Sequence, residues 1–263
     1  MTKHEAGHSS EGEIDRGWFE SRSNEVISRL NNGDRLEDIL NSFPDFKEYF
    51  RELDTIDCSD GRVLDGKKIG LAGSGILLSP EDRVSLIARL KGKIKLITTH
   101  TDCGAAALKF KSLNSEEIPA GITSSDEYGS WRGRELAEAL GCEHKYIEME
   151  QMASEYHNEV ALVLDGTGEF DSTNLPGFPA HFVCTGAGLG LSPEYLRSEV
   201  EILTGIALGD HGFGSRFDAT NPFYIMVAAK DESDLKRWEE IAQQASEKYS
   251  NRVEIKGFIQ PEK

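Results

Sequence analysis

The chain has 263 residues and a mass of 29.1 kDa, with 38% hydrophobic and 29% charged residues, enough for one large or two small globular domains. Its 29 basic and 46 acidic residues leave a net charge of −17, which repels nucleic acid and anionic membrane and argues against both as partners. No stretch approaches the roughly 20 apolar residues of a membrane span, and the polar N-terminus lacks the apolar centre of a secretory signal, so a cytoplasmic protein is expected.

Residues 1–12 are small, polar and acidic, the composition of a disordered tip. Apolar residues Ile14, Trp18, Val26, Ile27 and Leu30 then recur at helical spacing. Further helical stretches run through Leu36, Ile39 and Leu40, and, after Pro44, through Phe46, Tyr49, Phe50 and Leu53. Residues 1–53 therefore predict a helical arm, packed on the main body or on a second subunit, or covering one face of a sheet.

From residue 54 onward short apolar runs alternate with helical ones. Strands are predicted at 55–58, 68–72, 94–98, 145–147, 160–164, 180–184, 223–229 and 253–259. Helices are predicted at 80–90, near Cys103, and at 131–140, 193–206 and 235–249. This alternation predicts an α/β domain over 54–263, with a mainly parallel central sheet flanked by helices. Asp165-Gly-Thr-Gly168, between apolar runs, predicts a hairpin. No internal repeat is evident, and residues 186–263 form an extended C-terminal part without an assigned role.

The strongest chemical signal is the pair Cys58-Ser-Asp-Gly-Arg62 and His100-Thr-Asp-Cys-Gly104, each directly after a predicted strand. Parallel sheets gather ligands beyond the carboxyl ends of their strands, so two neighbouring strands would bring Cys58, His100 and Cys103 together. Two thiolates and an imidazole suit Zn2+, and three protein ligands leave a fourth position for water, as in catalytic rather than structural zinc sites. Zinc lowers the pKa of such a water from 15.7 to roughly 7, although thiolate ligands soften the effect. Asp60 and Arg62 alternate with Cys58, which in an extended segment puts all three on one side. A guanidinium can hold a carboxylate bidentately, and a carboxylate so held can either aim a hydroxide or, released, close the site as a fourth ligand.

Cys-x-Asp-x-Arg followed by His-x-x-Cys-Gly resembles the β-class carbonic anhydrases, including their relatives that hydrolyse carbonyl sulfide (COS) or carbon disulfide (CS2). The motif resemblance covers roughly residues 53–110, and the broad α/β pattern extends to about 185. It implies zinc ligands at Cys58, His100 and Cys103, a catalytic Asp60–Arg62 dyad, and hydration of CO2 to bicarbonate by zinc-bound hydroxide. It also implies a homodimer or higher homo-oligomer, embraced by an arm like residues 14–53. The alternatives are a zinc hydrolase acting on COS or CS2, and a non-catalytic zinc-binding protein in which Asp60 or the C-terminal part seals the metal. Gly61 stands where such proteins usually carry Ser. Gly70-Leu-Ala-Gly73 keeps only half of their Arg-Asn-Ala-Gly segment. His100 follows Cys58 by only 42 positions.

Other motifs read as structural. His181-Phe-Val-Cys184 repeats the His-x-x-Cys spacing, but a regular strand puts the two on opposite faces. Cys142 is a small core residue. Gly186-Ala-Gly-Leu-Gly190 lacks the lysine of a phosphate-binding loop and reads as a turn. Arg89 to Lys95 is a solvated helix end. Asp210-His-Gly-Phe-Gly214 reads as a structural loop, the alternative being that His211 shuttles protons.

Overall fold

Most strands are short runs buried on both faces, as parallel sheets require, while Glu143–Ile147 and Val253–Ile259, at sheet edges, are partly exposed. The computed structural model describes residues 11–63, 66–209 and 212–261. Among these residues, two four-stranded parallel sheets replace the expected single one. In the first, β1 (Thr55–Cys58), β2 (Lys68–Leu71), β3 (Leu96–His100) and β4 (Glu143–Ile147) lie in the order β2-β1-β3-β4. In the second, β5 (Ala161–Asp165), β6 (His181–Cys184), β7 (Phe223–Ala229) and β8 (Val253–Ile259) lie in the order β6-β5-β7-β8.

Several helices begin where a side chain satisfies free backbone amides. Of the body helices α4 (Pro80–Leu90), α5 (Gly104–Ser112), α6 (Ser125–Leu140), α7 (Pro193–Ala207) and α8 (Glu232–Ser246), α4 and α7 start alike. Ser79 and Ser192 cap them, and proline follows each cap. Helix α6 starts well before the predicted Trp131, because Ser124 and Glu127 form a capping box. The Asp165 segment is not a hairpin. β5 is parallel to both of its neighbours, and the Asp165 carboxylate instead holds a turn through Thr167, the Gly168 amide and the Phe170 amide.

The arm consists of α1 (Glu11–Arg22), α2 (Glu25–Asn31) and α3 (Leu36–Asn41), followed by a short 3-10 turn at Phe46–Tyr49. Of the stretch expected to be disordered, residues 11 and 12 are helical, and 1–10 lie outside the described residues. Most of the arm's apolar residues are buried within this same chain, whereas Phe19 is exposed. Trp18 meets Phe213 and Phe217 edge-on, while Phe46 and Phe50 pack with Phe170 and Phe258. The arm thus covers the second sheet and belongs to the main core. Phe50→Leu keeps an apolar side chain but removes the stacked ring contact with Phe170 at 5.0 Å. It should lower unfolding free energy by about 1 kcal/mol in urea titration, and an unchanged midpoint would show that the arm is not docked.

The two sheets are also copies of one another, contrary to the expectation of no repeat. Their strand orders are the same, and their registers agree: Thr55 pairs with Lys68 as Ala161 pairs with His181. Between the second strand and the following helix stand Gly73-Ser-Gly-Ile-Leu-Leu-Ser-Pro-Glu81 and Gly186-Ala-Gly-Leu-Gly-Leu-Ser-Pro-Glu194, identical at six of nine positions. The copies meet along β2 and β6, where Val183 N donates to Ser59 O and Thr185 N to Gly70 O, both at 2.9 Å. Equivalent positions Gly70 and Val183 face each other. A Cβ on Gly70 would lie 2.2 Å from Val183 O, so only glycine allows this approach.

Candidate metal centre

β1 and β3 are parallel neighbours, so the loops after them open on the same end of the first sheet. Cys58 closes β1, His100 closes β3, and Cys103 stands directly before the first turn of α5. The chain reverses between His100 and Cys103 through Asp102, whose φ of 55° is the left-handed conformation that Asp tolerates better than most residues. Asp126, in the first turn of α6, fixes that reversal by accepting from Thr101 Oγ1 and from Asp102 N, each at 3.1 Å.

The three side chains are buried, and their ligand atoms all lie within 4.8 Å of one another. The two sulfurs are 3.8 Å apart. His100 Nδ1 donates to Thr101 O at 2.8 Å, which fixes the tautomer and leaves Nε2 as a lone-pair donor. That buried Nε2 has no hydrogen-bond partner among the described residues. An orphaned buried imidazole nitrogen beside two thiols is costly unless it ligates, so this donor set fits a borderline-soft metal ion. Gly73 N also donates to Cys58 Sγ at 3.3 Å, a backbone contact that favours thiolate. The hydrogen bond from Cys103, with His100 beside it, draws the Cys58 thiol well below its ordinary pKa. Its bond to Cys58, then burial, push Cys103 well up. Burial disfavours charge on His100, but the Cys58 thiolate overcomes this and raises its pKa to about 9, so Nε2 ligates a metal by giving up its proton.

Asp60 and Arg62 do pair, though not by strand alternation. The chain turns after β1, and Asp60 Oδ1 accepts from Arg62 N and Nε, both at 3.0 Å, while Oδ2 accepts from Nη2 at 2.7 Å. Asp60 Oδ2 lies 3.9 Å from His100 Nε2. Burial alone would raise the Asp60 pKa, but His157 and the guanidinium outweigh it and hold the carboxyl far below the usual range.

The sequence did not single out His157, Glu159 or Glu199. Arg62 Nη2 lies 3.4 Å from His157 Nε2, and His157 Nδ1 lies 3.2 Å from Glu159 Oε2. Glu159 Oε1 accepts from Gly61 N at 3.0 Å, and the His181 carbonyl fills the space a Cβ at 61 would need, which explains the glycine. Glu199, on α7, accepts from Ser59 Oγ at 2.9 Å, Cys184 Sγ at 2.7 Å and the Ala72 amide, bracing both loops beneath the thiols. Its burial raises its pKa to about 7. The only signal for the first two was His157-x-Glu159 just before an apolar strand. Glu199 had none.

The second His-x-x-Cys does not converge. His181 lies against Ser172 and Pro179, whereas Cys184 points to Glu199. Cys142 is half-buried, and burial raises its pKa. Gly186 to Gly190 forms a turn packed against Gly168. Lys91, Lys93 and Lys95 are exposed. Asp210 and His211 lie outside the described residues.

Beside the cluster is a cavity of about 20 Å³, room for little more than one water. Asp60 and His157 are its polar lining apart from the ligand residues, and Phe182, Ile202, Leu203 and Ile206 form much of its apolar wall. Among the described residues no helix is long and apolar enough to cross a membrane. Compared with known proteins, the chain matches no family model, no curated protein and no solved structure.

Proposed function

We propose that the chain is a zinc-dependent enzyme that hydrates CO2 to bicarbonate. The observation that carries this reading is a carboxylate locked by a guanidinium beside a Cys–His–Cys cluster, at the edge of a small, mostly apolar cavity. Cys58 Sγ, Cys103 Sγ and His100 Nε2 would hold the ion. When bound, zinc supplies the Lewis acidity that brings the pKa of a water from 15.7 to roughly 7.

The chain's own residues supply the rest. Arg62 occupies both oxygens of Asp60, which keeps the carboxylate from swinging onto the ligand cluster. Asp60 therefore acts as a charged acceptor that orients the attacking oxygen toward the substrate carbon. The apolar wall excludes bulk water and suits a small neutral molecule better than an anion, which favours release of bicarbonate. His157 lines the same cavity, and although burial opposes its charging, Glu159 raises its pKa, so it can hold the proton released in turnover. This arrangement speaks against a metal sealed by Asp60.

The same donor set and apolar wall leave COS and CS2 as alternative substrates, and the experiment includes them. Stopped-flow kinetics on the zinc-loaded chain should give saturable, zinc-dependent CO2 hydration, with COS turned over more slowly. Hydration no faster than in buffer would exclude the hydratase reading, and faster COS turnover would reassign the substrate.

A further inference from the structure

We infer that residues 161–259 are a second copy of the 55–147 unit that has lost its metal ligands and now serves as a built-in partner, so that one chain with one metal is the complete functional unit. The sheet registers make the correspondence residue by residue. β1 and β5 align through Thr55 and Ala161, and β3 and β7 align through their partners Leu96 and Tyr224. Cys58 then corresponds to Leu164, His100 to Ala228 and Cys103 to Asp231, which stands at the N-terminal cap position of α8 as Cys103 stands at that of α5. Asp60 and Arg62 correspond to Gly166 and Gly168. Neither Leu164 nor Ala228 can bind a metal, so the second copy retains the scaffold without the chemistry.

The contact between the copies has the form of a two-fold interface, in which a surface packs on its own equivalent. β2 meets its counterpart β6, with the equivalent residues Gly70 and Val183 in contact. The starts of α4 and α7 also meet. The Asp82 carboxylate accepts from the hydroxyl of Ser79, the cap of its own helix, and from both the amide and hydroxyl of Ser192, at 2.9 and 2.8 Å. Across this junction the second copy completes the metal-bearing one. Glu199 braces the Cys58 loop, and Ile202, Leu203 and Ile206 wall the cavity. A Cβ on Gly104, next to Cys103, would lie 3.5 Å from Ile206 Cδ1, so α7 sits directly over the metal-bearing turn. A single chain thereby contains what the sequence resemblance assigns to a dimer.

Cobalt-loaded full-length chain tests this without reference to any reaction. Sedimentation and native mass spectrometry should give one metal on a 29.1 kDa monomer. Thiolate-to-cobalt charge-transfer absorption should report an intact cluster in wild type, Ile206→Trp and Ile202→Trp. Azide titrated against the cobalt visible bands should bind at least tenfold more weakly to the two tryptophan variants, whose α7 side chains fill the cavity. An obligate dimer, two metals per chain, or unchanged azide affinity in both variants would overturn the inference. A chain that passes these tests but does not hydrate CO2 would leave it standing and remove only the proposed reaction.

Discussion

Wild-type protein is expected to carry close to one zinc ion per chain, and Cys103→Ser to lose most of it. A serine hydroxyl stays protonated at neutral pH and offers a hard, weak donor, whereas zinc binds thiolate strongly. Losing a group that merely supports a ligand costs 10–100-fold in affinity, so losing a ligand should exceed about 10²-fold. The fold itself should survive, because Cys103 lies in a small apolar cluster apart from the main core. Zinc content measured by mass spectrometry after dialysis against a weak chelator checks this, together with an unchanged circular dichroism spectrum. Full zinc in a Cys58→Ser, Cys103→Ser double variant would remove the ligand assignment altogether.

Asp60→Asn should leave zinc bound and lower kcat/KM by roughly 10²-fold, equivalent to about 2.7 kcal/mol, the worth of one charge-assisted hydrogen bond made in the transition state. The amide keeps the size of the carboxylate but presents an NH2 to Arg62 in place of one acceptor oxygen, so the fork of three side-chain contacts fails. Arg62→Ala should act in the same direction by freeing a buried carboxylate 3.9 Å from His100 Nε2. The sign of the pH response separates these variants from a titration effect. Asp60→Asn has no carboxylate to titrate, and in Arg62→Ala His157 still favours an ionised Asp60, so raising the pH rescues neither variant. If Asp60 were instead a permanent metal ligand, Asp60→Asn would weaken zinc retention, and zinc content decides between the two.

Much of the site was legible in the sequence because it is encoded locally. Cys58 and His100 each end an apolar run, and strands buried on both faces in a parallel sheet carry their chemistry at that end. The α/β class followed from the same alternation, since strand and helix periodicities are properties of a few neighbouring residues. Even the Asp60–Arg62 pair was visible, although a turn and not an extended strand joins it, because two residues apart is close in either conformation.

Distance along the chain hid the rest. His157 and Glu159 reach the Asp60 loop across 95 and 98 positions, and Glu199 reaches Ser59 across 140. No periodicity specifies such contacts; they follow only once two sheets bury their surfaces against each other. The duplication escaped for a related reason. Packing constrains apolar volume and register rather than identity, so the second copy could exchange Cys58 for Leu164 and His100 for Ala228 while keeping its strand order. The placement of the arm was likewise a tertiary decision. Trp18, Phe46 and Phe50 needed an apolar partner from the outset, but the composition of α1 to α3 fits a second subunit as well as this chain's own sheet. The ring cluster of Phe170 and Phe258, available only in the folded second half, decides it. Sequence determined which residues could do chemistry and which had to be buried, and the tertiary structure decided what they meet, because burial selects among partners that local pattern leaves equivalent.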